Sequence, residues 1–565
     1  MRLTLLFAAT PLVLLGACAG AGGGARPTPA APVAAASTPY GMFLAGRAAL
    51  NGGRNADAAR FFDQARGASG GEAMVSEQAF TAALLSGEVG RAASLAPTGP
   101  DASEGAKRLG QLVIAVETLA EGKNKEARAL LANDSIAFPH KAAAALLQPW
   151  AAAGAGDVDA SLVRPQVRGD RLVDYFGQLG QAALYERAKR YDEAETDFKA
   201  ATAANPSEMS ILAYGAFLER RGRRVDAIAL YQTYLSREPS NISMKMARER
   251  AQVGRSAPAA PTIREGAAQA LLAPAASLIA AKQTQIALGY LRMVLRLDPQ
   301  RDEAWLMVGD IMQANKDVEA ARAAYAHLKL GSPDFASAQA KLAWSYQAAG
   351  DKETALKLAR AAAASGDADA RVALADLLRN NEQWAESAQV LSGVIGETKN
   401  PDWRLLYARG LDYQALGRWP DAQADLEAAL KDHPDEPELL NFLGYSWIDR
   451  GERLPEALAM VQKAVGSAPR SGAIVDSLGW AYFRMGDYKA AVEKLEQAVE
   501  LEAGDPEIND HLGDAYWRVG RKDEAQFQWR RVLTLKPDDR IRDRANLKLA
   551  SGLGPDGPAP KVAGN

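Results

Sequence analysis

A repeat period of about 34 residues constrains this chain more than any other feature. The segments LGWAYFRMGDYKAAVEKLEQAV, from Leu478, and LGDAYWRVGRKDEAQFQWRRVL, from Leu512, align without a gap. Gly479 and Gly513, Tyr482 and Tyr516, Gly486 and Gly520, and Ala491 and Ala525 are each one period apart. Further back, Gly410, Tyr413, Gly417, Ala422, Leu426 and Ala429 keep the same internal offsets, and Pro434, Pro469 and Pro537 close their units. A fixed period of this length marks a repeat array, in which each unit buries its apolar face only against its neighbours.

Each recurring position has a physical reason. Gly479 and Gly513 sit where the two helices of a unit meet closely, with Ala491 and Ala525 as the matching small residues on the second helix. Tyr482 and Tyr516 fill the gap between helices. Gly486 and Gly520 end the first helix in a left-handed conformation that glycine adopts cheaply, and Pro537 stops the second helix. This helix–turn–helix unit resembles the tetratricopeptide repeat.

The pattern recurs upstream with drift. Trp305, Gly309, Ala321, Tyr325 and Pro333 mark one unit, and Ala343, Tyr346, Gly350 and Ala355 the next. Ala182, Tyr185, Ala194, Phe198, Ala201 and Pro206 mark an earlier one, followed by Gly215, Ala227, Tyr231 and Pro239. Gly46, Ala58, Phe62 and Ala65 suggest the first. Between 71 and 170 the period survives only as helical text such as GKNKEARALL. The predicted fold is all-α, a solenoid of roughly twelve to fifteen helix pairs between 40 and 550. The Pro-rich RSAPAAPT at 255–262 is predicted to divide it into two arms, 40–254 and 263–550. The charged DDRIRDRANLKLA at 538–550 suits a polar terminal cap, and 551–565 reads as a disordered tail.

Net charge is −3, from 66 basic and 69 acidic residues. A nucleic-acid surface would need a basic excess, which is absent. The four histidines, His140, His327, His433 and His511, show no metal spacing; His511 is expected half-exposed on a repeat helix. Gly552, Gly554 and Gly557 spell GxGxxG, but in a Pro-containing tail with no strand before it. No GxxxxGK[ST] or GxSxG occurs. The expectation is therefore no enzyme, no cofactor, no metal and no small-molecule substrate. The apolar run GAAQALLAPAASLIAA at 266–281 raises a membrane question; Gln269, Pro274 and Lys282 favour a buried repeat helix pair.

Cys18 is the one cysteine of 565 residues. It follows Arg2, the apolar run LTLLFAATPLVLL and the small residues Gly16 and Ala17. That order is a secretory signal, and the run is shorter than the ~20 residues needed to span a bilayer. Leu15-Gly16-Ala17-Cys18 resembles the bacterial lipobox. The resemblance implies a signal peptide at 1–17, removed by cleavage, and lipid on Cys18. Two or more acyl chains hold a protein stably on a membrane, at about 0.8 kcal/mol per buried methylene. The Gly- and Pro-rich stretch from 19 to 39 is read as a disordered tether with a reach of at most about 60 Å.

Stacked repeats leave a groove lined by the first helix of each pair. Residues three before, one after and four after the close-packing glycine share that face. They are Asn441, Tyr445 and Ile448 around Gly444; Asp476, Trp480 and Phe483 around Gly479; and Asp510, Asp514 and Trp517 around Gly513. Aromatics beside acids suit a partner segment that is apolar with some basic residues. The tryptophans have a second reading, as packing between neighbouring helices. The Lys/Asn carboxylate clamp of chaperone-binding tetratricopeptide domains is missing here.

Lipobox, tether and array together resemble the outer-membrane tetratricopeptide lipoproteins of Gram-negative bacteria. LLNFLGYSWIDRGERLPEALAMVQKAV followed by IVDSLGWAYFRMGDYKAAVEKLEQAV is similar to the lipoprotein partner of a periplasmic C-terminal processing protease. That resemblance implies a lipid-anchored adaptor facing the periplasm, which recruits the protease and its substrates, often peptidoglycan hydrolases. The alternative is a structural lipoprotein of an envelope assembly, secretion or pilus machine.

Overall fold

The computed structural model describes residues 38–70, 72–132, 136–239, 241–397 and 400–554. The expected signal peptide, Cys18 and nearly all of the tether and tail lie outside the described residues. Among the described residues there are thirty α-helices and no strand. Thirteen consecutive pairs among them pack as helical hairpins, the tetratricopeptide arrangement. The chain forms two compact units, one ending at Asn381 and one beginning at Glu382.

The hairpins depend on one contact. A Cβ placed on Gly479 would lie 2.6 Å from Leu495, and one on Gly513 would lie 2.5 Å from Trp529. The same clash arises at Gly215 with Tyr231 (2.2 Å), Gly309 with Tyr325 (2.3 Å) and Gly46 with Phe62 (2.9 Å). In each case the large residue stands sixteen positions after the glycine, one helical turn beyond the small alanine. The glycine is thus a notch for a bulky side chain, and the alanine lets the backbones approach beside it.

Turns follow the expected chemistry. Gly486 and Gly520 leave their helices at φ 85° and 86°. Lys189, Lys282 and Lys316 make a left-handed turn too, at φ 61°, 59° and 64°. A non-glycine residue there costs about 1–2 kcal/mol. Packing on both sides holds the turn, so the repeat persists where its punctuation is lost.

In the unit ending at Asn381, the stretch with little visible period has abbreviated second helices: Val89–Ser94, Asn124–Leu131 and Val158–Ser161. Short second helices remove the spacing that periodicity detects. Residues 255–262 are non-helical, but the compact units do not separate there. The Ile263–Ala280 helix packs on Lys141–Gly154 and Arg171–Arg187, and Thr284–Leu297 packs on Ala73–Ser86 and Glu104–Ala120. Gly266 lies against Trp150, where a Cβ would sit 2.1 Å from the ring. Arg296 forks onto Glu117 at 2.7 and 2.8 Å. The run at 266–281 therefore belongs mainly to one helix and not to a pair, with Ala267, Leu271 and Ala275 buried. Among the described residues no helix is long and apolar enough to cross a membrane.

The notch gives a direct test. Gly215→Ala would drive a methyl into Tyr231, whose hydroxyl donates to Glu219 at 2.8 Å. The expected loss is about 1–3 kcal/mol. Because repeats couple chiefly to neighbours, hydrogen exchange should lose protection mainly between 191 and 252.

Candidate protein-binding groove

In the unit beginning at Glu382, the helices Pro437–Arg450, Gly472–Arg484 and Pro506–Arg518 are the first helices of successive hairpins. Each starts on a cap or a proline. Asp505 accepts from the backbone N–H groups of Glu507 and Ile508 at 2.7 and 3.0 Å, and Pro506 lacks the N–H that would have no partner in the first turn. The single Asp539–Ser551 helix packs against the last hairpin. Residues of the same repeat position therefore line up from helix to helix.

That line is a ladder of polar contacts. The Arg544 Nε lies 2.7 Å from Asp510, and Lys548 Nζ lies 2.8 Å from Asp510 and 2.7 Å from Asp514. Trp529 Nε1 donates to Asp514 at 3.1 Å. One rung back, His511 Nδ1 lies 3.0 and 3.1 Å from the two oxygens of Asp476. The His511 ring stacks on Trp480 with centroids 4.1 Å apart, and Trp480 stacks on Phe483 at 4.7 Å. Burial disfavours the imidazolium, but the charge and hydrogen bond of Asp476 outweigh it and raise the His511 pKa. Burial raises the pKa of Asp476, and also that of Asp514.

These contacts correct most of the expected groove residues. Asp510 and Asp514 are fully buried, and Trp480 and Phe483 are 5% and 4% exposed. They are covered by the neighbouring helices, although Asp510 Oδ1 and Trp480 Nε1 find no hydrogen-bond partner among the described residues, so they present no surface to a partner. Trp517 is half-buried, tilted against Trp529 at 5.3 Å and packed on Gly552. Ile448 is buried as well. His511 is 2% exposed and not half-exposed, because Asp476 draws it inward. The terminal helix is more than a polar cap, since it delivers two cations to the ladder.

Asn441, Tyr445 and Asp476 do come together, around an open cavity of about 210 Å³. Tyr407, Phe442, Ser477, Asp505, Glu507 and Ile508 also line it, and no lysine or arginine does. Burial holds the Tyr445 hydroxyl well above its ordinary pKa, with Glu507, Asp476 and Asp449 adding to the effect. It is therefore a neutral donor. The Asn441 Oδ1 is shielded from solvent and has no hydrogen-bond partner among the described residues. Sequence reasoning missed Ser477, Glu507, Arg544 and Lys548. A signal for Arg544 existed, in that it follows Asp510 by one repeat period, much as His511 follows Asp476.

Family models described as tetratricopeptide repeat match residues 179–242, 340–401, 407–472 and 506–539, and one described as TPR repeat matches 479–520. These segments are tetratricopeptide repeats. The chain is 31% identical over 216 residues to TPR repeat-containing protein PA4667 of Pseudomonas aeruginosa, a match spanning 38% of this chain and 36% of that relative. Among solved structures it is similar to a tetratricopeptide repeat protein from Parabacteroides merdae, with 17% identity, TM-score 0.39, and coverage of 44% of this chain and 98% of that one. It is also similar to the Cut9–Hcn1 hetero-tetramer structure, with 15% identity, TM-score 0.37, and coverage of 91% and 96%. Tetratricopeptide arrays are scaffolds for protein–protein interaction. Among the described residues no group of three or more His, Cys, Asp or Glu is placed to hold a metal ion.

Two outcomes follow from the ladder. Lys548→Met leaves Asp510 and Asp514 buried with Arg544 as the remaining cation, and should destabilise this unit by about 3–5 kcal/mol in denaturant melts. The second concerns pH. The folded pKa of His511 lies above its ordinary 6.5. Its stabilisation is therefore complete below about pH 6.5 and is lost as pH rises through the folded value. Asp476, also raised, has the same sign at lower pH. Glu507 and Arg544 are the other charges acting on His511 from its own and the adjacent helix. The melting temperature of this unit should fall as pH rises above about 6.5, and His511→Gln should flatten the slope.

Proposed function

We propose that the protein is a membrane-anchored, non-enzymatic adaptor that binds protein partners in the periplasm of a Gram-negative cell. The binding half of this reading is carried by one observation. The stripe of first helices opens into a cavity walled by Tyr407, Phe442 and Tyr445 beside Asp476, Asp505 and Glu507. Aromatic walls with a few charged groups are the chemistry of a peptide anchor site.

The anchoring half rests on Leu15-Gly16-Ala17-Cys18 and the tether behind it. Lipid on Cys18 would hold the array at the outer membrane. Recruitment of a C-terminal processing protease and its peptidoglycan-hydrolase substrates is the finer reading. It rests on the resemblance of the repeats from Leu439 to Val499.

Cys18→Ser should leave the array folded and move the protein from the outer-membrane fraction to the soluble one. Mutant protein that still pellets with membranes after a high-salt wash would overturn the anchor. Pull-down with the same variant tests the partner. A protease with cell-wall hydrolases supports the adaptor, whereas secretion or pilus components point to a structural part of such a machine.

A further inference from the structure

We propose that the cavity at Asn441 and Ser477 seats the arginine side chain of an extended partner segment; this deepens, and rests on, the reading of the stripe as a protein-binding groove. The ladder itself carries the argument. On each complete rung, a carboxylate three residues before the notch glycine meets a cationic or cationisable side chain from the next helix of the stack. Asp510 meets Arg544, and Asp476 meets His511. The next rung back has Asn441 in the acceptor position and Ser477 in the donor position.

That rung is incomplete. Ser477 is too short to span it, and its hydroxyl donates to the Ala473 carbonyl at 3.0 Å within its own helix. The Asn441 Oδ1 is left without a partner among the described residues. The cavity opens at this place, bounded by both residues. It lies where the ladder lacks the side chain that the other rungs have.

The walls select what can replace it. Asp476, Asp505 and Glu507 make the walls acidic, although each already has a partner within the chain (His511, two first-turn N–H groups, and Arg540 with Arg544), and the rings of Tyr407, Phe442 and Tyr445 offer flat faces. A guanidinium suits both, since it stacks on rings and donates in a fork. This unit already uses that pairing: Arg453 lies 4.0 Å over Trp447, and Arg521 lies 4.0 Å over Tyr516. At about 210 Å³ the cavity falls below the ~300–1,000 Å³ of small-molecule pockets. It is the size for one side chain of a longer ligand.

The test is fluorescence anisotropy on the full chain. The probes are a short labelled alanine–leucine peptide with a central arginine and its glutamine and glutamate counterparts. The arginine form should bind roughly tenfold more tightly than the glutamine form. Asn441→Leu should erase that preference with little change in melting temperature, because Oδ1 makes no bond to lose. Asn441→Asp combined with Ser477→His rebuilds the rung, and should raise the melting temperature while blocking the peptide. Equal binding of the arginine and glutamine forms, a preference for glutamate, or no binding at all would overturn the seat. So would folded variants that keep the arginine preference, or self-association of the chain that these substitutions abolish. If the pull-down partner is still captured by Asn441→Leu, the adaptor stands and the arginine seat falls. If wild type binds the arginine peptide but captures no protein, the seat stands and the adaptor reading falls.

Discussion

The fold depends on a notch and the side chain that fills it. Glycine on the first helix of a hairpin removes the atoms that would hold the helices apart, and a bulky residue sixteen positions on occupies the space. Gly513 with Trp529 and Gly215 with Tyr231 are the tightest of these hairpin notches in their units. The contact fixes which face of each helix turns inward. Once that is set, the opposite stripe of every first helix must face its counterpart in the next hairpin.

That second stripe has its own problem. Asp476, Asp510 and Asp514 are buried among apolar neighbours, and a buried carboxylate without a counter-charge is costly. The chain meets each with a side chain from the next helix of the stack: His511 from a first helix, then Arg544 and Lys548 from the unpaired helix at the end. The terminal helix therefore closes both an apolar surface and a run of charge. The same logic makes the Asn441–Ser477 rung stand out, since there the acceptor is neutral, the donor is short and space remains.

Much of this was legible in the residues. Gly479, Gly513, Ala491 and Ala525 carried the period, the hairpin and the turns, because steric rules act over a fixed local spacing. Where the turn residue is Lys189 or Lys282, or the second helix shrinks to Val158–Ser161, the period faded although the hairpin remained. Tertiary packing holds those turns and leaves no mark at the expected offset. The stripe rule placed Asn441, Tyr445 and Asp476 on one face correctly. It also placed Trp480, Asp510 and Asp514 there, and did not reveal that the face is covered at those rungs.

The sequence by itself determined the repeat, its all-helical class and the inward role of each glycine, since backbone sterics and helical period are local properties. It also carries Leu15-Gly16-Ala17-Cys18, whose resemblance to a lipobox is read from four residues and needs no fold. Only the tertiary structure decided which polar residues are spent inside. Whether Asp510 is a binding residue or a buried ion-pair partner depends on Arg544, one repeat period later in the chain, arriving at a distance of 2.7 Å. The strength of a charge depends on what surrounds it, and burial is a property of the assembled stack, not of any one repeat.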